Sequence, residues 1–384
     1  MIDGKKGIVF TLLALLIVAI FFVAFKPQSS VTLKEKIPVT ESRVSVADDF
    51  VTFARNAYLP AALRTSSYNA LYALSQFEKA WGSRFADQAE LSQNFAEVML
   101  NGSIQCPSDG LHKNIEACIC ELDPAYAGCP NINLMLGRNF TQRQRDMVNL
   151  SVNTLQIWSN FTYDRYNVVL FQNNETGPFQ VGVNATVNFS VNAGVAWWNF
   201  TDTITAVFSF SGIEDPLYSV ESMNQLGTRY TNVFNETNLT YWNLTNTYKE
   251  IDWRKYRYNA NGSSFLGRFT AADSDSKCCG IESFINPQIM TDPDIANVEK
   301  PFVDWCFFGT RCPLNTPGAL FNISCISNNG AGDNRFRRFA LDTAHISMYN
   351  LTDFVYNAEP DPKAAQCQAL MQAVCSIDQD IACV

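Results

Sequence analysis

Phe179-Gln180-Val181-Gly182-Val183-Asn184-Ala185-Thr186-Val187-Asn188-Phe189-Ser190-Val191 is apolar at every odd position and polar or glycine at every even one. Period two is the mark of a strand with one face buried and the other in water. Working outward, Trp198, Phe200, Ile204, Ala206, Phe208 and Phe210 alternate with Asn199, Thr201, Thr203, Thr205 and Ser209, and Asp202 is the one misfit on the apolar side. A further strand is expected over residues 166–171. These segments predict an antiparallel meander, one face packed on a helix and the other solvated. The covering helix is expected just before it, from Arg138 to Phe161. There Met147, Val148, Val152, Leu155 and Trp158 form one stripe, and Asn149, Asn153, Gln156 and Asn160 form the opposite one.

Earlier in the chain the period changes to that of helices. Phe50, Phe53, Ala54, Ala57 and Tyr58 predict one buried stripe, Pro60 resets the phase, and Leu71, Leu74, Phe77 and Trp81 continue as a second helix. A third helix is expected over residues 86–100. Between Asn101 and Pro130 the pattern gives way to a loop with Cys106, Cys118, Cys120, Cys129 and His112. Cys-x-Cys is not the knuckle spacing of structural zinc, so the four thiols are expected to pair among themselves as two local disulfides.

The chain has 384 residues, 47% hydrophobic and 17% charged, which is the composition of a globular protein. A net charge of −9 argues against nucleic acid as a partner. The twelve cysteines are Cys106, Cys118, Cys120, Cys129, Cys278, Cys279, Cys306, Cys312, Cys325, Cys367, Cys375 and Cys383, all in the part expected to be exported. Because the first four form an even set, the odd central group and the odd tail group require at least one bond between them. A direct Cys278–Cys279 bond is disfavoured by its small ring, so these two are expected to reach different partners. Asn-x-Ser/Thr acceptors for glycans begin at Asn101, Asn139, Asn149, Asn160, Asn174, Asn184, Asn188, Asn199, Asn235, Asn238, Asn243, Asn261, Asn322 and Asn350. Random placement would give about five, so the excess points to an exported, glycosylated surface.

Export has a visible device in residues 8–25, where Thr11 is the only polar side chain. At about 1.5 Å per residue this segment just spans a bilayer's hydrocarbon core. Lys5 and Lys6 precede it and keep the N-terminus cytoplasmic, leaving the bulk of the chain extracellular.

Catalytic signatures are scarce. The only histidines are His112 and His345, and no nucleophile elbow, zinc-protease or phosphate-loop motif occurs. No enzyme activity, cofactor or metal is expected; a glycosidase-like pair of carboxylates, which needs no fixed spacing, ranks third among the functional readings. The second reading is a carbohydrate- or peptide-binding ectodomain, with Trp242, Trp253 and Tyr256 as its candidate ligand platform. Asp273-x-Asp275 and the oxygen-rich run 328–334 do not follow the twelve-residue calcium loop.

Lys5-Lys6-Gly7-Ile8 followed by the apolar helix resembles an archaeal class III signal of the type IV pilin kind, which a prepilin-type peptidase cuts after the glycine. Ala14 stands where pilins often carry an early glutamate. Trp198-Asn199-Phe200-Thr201, Glu214-Asp215-Pro216-Leu217-Tyr218 and Gly280-Ile281-Glu282-Ser283, in that order, resemble a family of uncharacterised archaeal single-pass surface proteins. The resemblance implies an α+β protein with a transmembrane signal-anchor, a pilin-like helix-plus-meander head and a disulfide-stabilised mixed α/β region. That family brings no known activity; the anchor, the glycan acceptors and the pilin-like plan together lead to the expectation of a membrane-anchored surface glycoprotein with a structural or adhesive role, in contact with copies of itself or other pilin-like subunits. The expected organisation is a cytoplasmic segment (1–7), transmembrane helix (8–25), stalk (26–40), helical region (41–100) and Cys-rich loop (101–135). A helix-plus-meander unit (136–212), a mixed α/β region with glycosylatable loops (213–360) and a Cys-rich tail (361–384) follow.

Overall fold

The computed structural model describes residues 36–225, 231–240, 246, 249–250, 253–260, 262–270, 278–285, 302–304, 324–327 and 338–341. The expected membrane helix at 8–25, the processing residues Lys5 to Ile8 and the tail from 361 lie outside them. Among the described residues no helix is long and apolar enough to cross a membrane. The chain is mixed α+β with antiparallel sheets and disulfides.

Helix α1 (Lys36–Phe53) starts within the segment expected to be a stalk, with Pro38 in its first turn, where a missing amide hydrogen is harmless. A π-turn over Ala54–Tyr58 joins it to α2 (Leu59–Trp81), which has a proline in its first turn and ends at Gly82 with φ 72°. The buried stripe of α1 is Ala47, Phe50, Val51 and Ala54, not the expected Phe53 and Ala57, which are exposed. Phe53 lies at the edge of a stripe that keeps helical spacing through Ala54, and the extra residue of the π-turn then turns Ala57 away from the core, where the expectation assumed a constant 3.6-residue period.

Helix α3 (Gln88–Asn101) bears out the third helix. Asp87 caps it by accepting from the amides of Ala89 and Glu90, while Glu90 accepts from the Ala86 amide. The expected Cys-rich loop is ordered instead: β1 (Ser103–Gln105) and β2 (His112–Asn114) form a hairpin that leads into α4 (Ile115–Leu122). Cys106–Cys118 ties hairpin to helix and Cys120–Cys129 ties helix to the following turn, as expected of the local pairs. Ile104, Ile115 and Ile119 are fully buried, and this apolar anchoring is what the loop reading missed.

Helix α5 (Phe140–Leu150) is half the length expected. After a π-turn over Ser151–Leu155, Gln156 adopts φ 55° and reverses the chain. Ser151 secures the reversal by bonding the Ile157 carbonyl and the Ser159 hydroxyl at 3.1 and 3.0 Å. Residues from Trp158 onward therefore belong to β3 (Trp158–Phe171), longer than the strand expected at 166–171. Trp158 leaves the buried stripe and Asn160 leaves the helix face expected to hold it with Asn149. The apolar positions between 155 and 163 fit both periods, and six added pairings with the next strand decide for the sheet.

Strands β3, β4 (Gln180–Asn192) and β5 (Trp197–Ser209) make the predicted antiparallel meander. Its inner face is buried from Val181 to Val191 on the central strand. The cover is not the preceding helix alone: α2 lies against β5, α3 against β3, and Phe50, Val51 and Ala54 against Phe189, Val191 and Ala193. The misfit Asp202 is explained by Arg55, whose guanidinium bonds its carboxylate and lies 5.6 Å from the Phe200 ring. At Gly182 a Cβ would overlap the Phe171 ring, which lies across the strand there.

One core runs from Leu59 through the sheet to Ile281. Beyond the meander come α6 (Pro216–Gln225) and the short antiparallel pairs β6 (Arg257–Tyr258) with β7 (Ile281–Glu282), β8 (Phe284–Ile285) with β9 (Phe302–Val303), and β10 (Ser324–Ser327) with β11 (Arg338–Leu341).

Cys278 and Cys279 are bonded to each other, with Cα atoms 3.8 Å apart, which corrects the expectation of separate partners. The parity argument survives this correction. Cys306, Cys312 and Cys325 are three, as are Cys367, Cys375 and Cys383, so a peptide map of the oxidised chain is expected to contain at least one bond between the two groups. A map in which every tail cysteine pairs within the tail or is free would refute it.

Candidate functional surface and a buried charge cluster

Strand register sets the outer face of the meander. Residues directly opposite one another share a face, so successive rows read Trp158–Asn192–Trp197, Asn160–Ser190–Asn199 and Thr162–Asn188–Thr201 across the three strands. Thr186–Thr203 and Val169–Asn184–Thr205 continue the ladder. Thr201 donates to the Asn188 side-chain carbonyl at 2.5 Å and Thr205 to that of Asn184 at 2.7 Å, so these amides are held by their oxygens. No acidic or basic residue occupies these rows. The residues of these rows are neutral and rich in hydroxyls and amides, and the rows end in two indoles 68% and 69% exposed.

Four glycan-acceptor asparagines, Asn160, Asn184, Asn188 and Asn199, stand on this one face, and Asn160, Asn188 and Asn199 are exposed. Elsewhere Asn101, Asn149, Asn174, Asn235 and Asn238 are exposed too. Asn139 is half-buried and is occupied as the cap of α5: its side chain accepts from the Gln142 amide and donates to the Asn101 carbonyl. Asn243, Asn261, Asn322 and Asn350 lie outside the described residues.

The expected ligand platform does not assemble. Tyr256 is fully buried, Trp253 is half exposed and Trp242 lies outside the described residues. Tyr256 instead belongs to a cluster around Arg268, which is also fully buried. The guanidinium donates to Asp215 at 2.6 Å, to Asp304 at 2.8 Å and to the Ile281 carbonyl at 2.8 Å. Tyr256 donates its hydroxyl to the same Asp215 oxygen at 2.9 Å, and Asn232 donates to Tyr256. Burial pushes the phenols of Tyr218 and Tyr256 well up, so both remain protonated donors. Two carboxylates share one cation here, and the consequence falls on Asp304: burial raises it to about 6, against the opposing pull of Arg268 and with added repulsion from Asp215.

Two of the peptide motifs singled out in the sequence meet in this cluster. In Glu214-Asp215-Pro216-Leu217-Tyr218, Asp215 stands before α6 and accepts from the Leu217 amide, with proline at the first helical position. Glu214 reaches back to Lys79 at 2.7 Å, and its carbonyl accepts from Ser75. In Gly280-Ile281-Glu282-Ser283, a Cβ on Gly280 would strike the carbonyls of Asn259 and Gly262, so only glycine permits this backbone approach. The motifs are therefore parts of one internal joint. Arg268 and Asp304, which complete it, carried no sequence signal, being single charges in otherwise ordinary stretches.

Cys106, Asp109 and Glu121 also lie close together. The Cys106 sulfur is bonded to Cys118, and Lys113 reaches both carboxylates, at 2.6 and 2.5 Å, so the group is an ion-paired corner of the hairpin. The oxygen-rich segments around Asp273 and 328–334 lie outside the described residues. Comparison with protein-family models, curated proteins and solved structures returns no match to this chain.

Proposed function

We propose that this chain is a membrane-anchored cell-surface glycoprotein with a structural or adhesive, pilin-like and non-enzymatic role. Residues 8–25 hold it in the bilayer, residues 1–7 stay in the cytoplasm and the bulk of the chain is extracellular. The observation that carries the reading is the meander, whose inner face is packed and whose outer face presents four glycan acceptors on a neutral ladder of amides and hydroxyls. At each occupied site the asparagine nitrogen forms a bond to the anomeric carbon of a lipid-phosphate-activated sugar, the phosphate leaves and the amide loses one proton. Sugars on such a face thicken the solvated side of the sheet and shield its edges from pairing with neighbouring chains. The processing residues Lys5, Lys6, Gly7 and Ile8 resemble a class III signal, and cleavage after Gly7 would leave the helix intact to anchor the protein or to pack with copies of itself or other pilin-like subunits.

Mass spectrometry of the protein from its own membranes tests the reading. The expected result is glycopeptides covering the outer-face asparagines and an N-terminal peptide starting at Ile8. An intact Met1 or Ile2 end would remove the pilin relation and leave an anchored ectodomain. A chain without glycans, or one lacking residues 8–25, would overturn the proposal.

A further inference from the structure

Two of the four outer-face acceptors sit in the same five-residue pattern. Trp158-Ser159-Asn160-Phe161-Thr162 occurs on β3 and Trp197-Trp198-Asn199-Phe200-Thr201 on β5, one on each side of the central strand. In both, the phenylalanine faces the core. Phe161 stacks on Phe189 with centroids 4.3 Å apart, and Phe200 meets the same ring edge-on at 5.1 Å. The tryptophan, the acceptor asparagine and the threonine then share the outer face, because residues two apart on a strand point the same way. Indole and acceptor amide are about 7 Å apart along the strand. Trp158 and Trp197 are 68% and 69% exposed, more than the partly buried Phe161 and Phe200 on the other face of the same strands. An exposed tryptophan is costly to leave in water, and here two occupy equivalent positions beside acceptor asparagines.

We infer that Trp158 and Trp197 are stacking platforms for the first sugars of the glycans carried by Asn160 and Asn199. The C–H-bearing face of a pyranose has weakly positive hydrogens and complements the negative face of an indole. The distance of two strand positions matches the reach of the first sugar from its linkage. No charge on the adjacent rows competes for the indoles, and Asn192, in register between them, is engaged with its own turn through the Gly194 amide at 2.8 Å. The sugar committed to each indole is the chain's own, since the acceptor is next to it on both strands. Asn184 and Asn188 have Gly182 and Thr186 at the equivalent positions and lack such a platform. Glycans at Asn160 and Asn199 are thus part of the folded surface, whereas those at Asn184 and Asn188 project freely.

The inference rests on the reading of the chain as a glycoprotein, and its test separates the two. Full-length protein from a glycosylating host is mapped for occupancy, and denaturant unfolding is measured for Trp197→Ala, Asn199→Gln and the double variant. The expected coupling is about fivefold in the unfolding equilibrium, in the range of aromatic stacking. The control cycle of Trp197→Ala with Asn188→Gln is expected to be additive. In NMR spectra the first sugar's ring protons on Asn199 should move upfield, and Trp197→Ala should abolish that shift. An occupied Asn199 with an additive cycle and unshifted sugar protons overturns the inference while leaving the glycoprotein reading in place. A chain without any glycan overturns both. Binding of free cellohexaose to the glycosylated protein that disappears in Trp197→Ala would show the indoles open to outside sugars, and would also overturn it.

Discussion

Replacing Arg268 with methionine is expected to destabilise the fold by about 3–5 kcal/mol, the usual result of removing one partner from a buried ionic group. Asp215 and Asp304 would lose the guanidinium they share while remaining fully buried, and the Ile281 carbonyl would lose its donor. The damage should spread because Asp215 also starts α6 and receives the Tyr256 hydroxyl. Arg268→Lys should recover little, since one ammonium on a flexible stem does not reproduce three bonds made by a planar fork. A urea titration would show the midpoint falling with an unchanged slope. A loss below about 1 kcal/mol in both variants would mean that the cluster adds little to stability.

The meander shows how far a sequence can be read when one physical rule dominates. Alternation from Phe179 to Phe210 predicted two strands, their faces and the placement of Asn184, Asn188 and Asn199, because burial of one face leaves a single permissible register. The junction before it was less legible. Between Leu155 and Tyr163 the same apolar residues satisfy a helix and a strand, and the choice is made by pairing with β4, a partner remote in sequence. The π-turn at Ala54–Tyr58 had a similar effect, moving Ala57 from the expected stripe into solvent. Disulfides between near neighbours at Cys106 to Cys129 could be inferred from composition and spacing, whereas the Cys278–Cys279 bond went against a local strain argument.

The candidate surface was legible by parity, but the pairing of Trp158 with Asn160 was hidden by placing both on a helix. The Tyr256 platform failed for a different reason. Aromatic residues interleaved with basic ones suggest an exposed face, but Tyr256 points inward to Asp215 and packs 4.9 Å from Phe234. Interleaving alone does not tell which side of a two-residue strand is in water. Buried ion clusters are equally invisible in one chain, since Asp215, Arg268 and Asp304 are far apart in sequence and meet only after the core has formed.

Asp304 gives the protein an expected preference for mild acid. Its carboxyl is raised from 3.8 to about 6 in the fold, chiefly by burial. Between pH 4 and 6 the folded chain therefore holds a proton that the unfolded chain has released, and stability falls as pH rises through this window. A shift of about two units corresponds to roughly 3 kcal/mol lost by pH 7 relative to pH 4. Glu78 works in the same direction: it is fully buried, and burial raises its carboxyl well above the usual range even though it accepts from the Phe85 amide. Its raised carboxyl adds to the fall in stability as pH rises. Thermal unfolding monitored from pH 4 to pH 8 should show the wild type more stable at the acidic end. Asp304→Asn keeps an acceptor for Arg268 and balances one cation against Asp215, so it should flatten the fall between pH 4 and 6 and leave the part due to Glu78. Glu78→Gln should leave the Asp304 part and remove the remaining share of the decline. An Asp304→Asn variant with an undiminished slope between pH 4 and 6 would show that Asp304 is already ionised at pH 4, with Arg268 shared equally by two carboxylates.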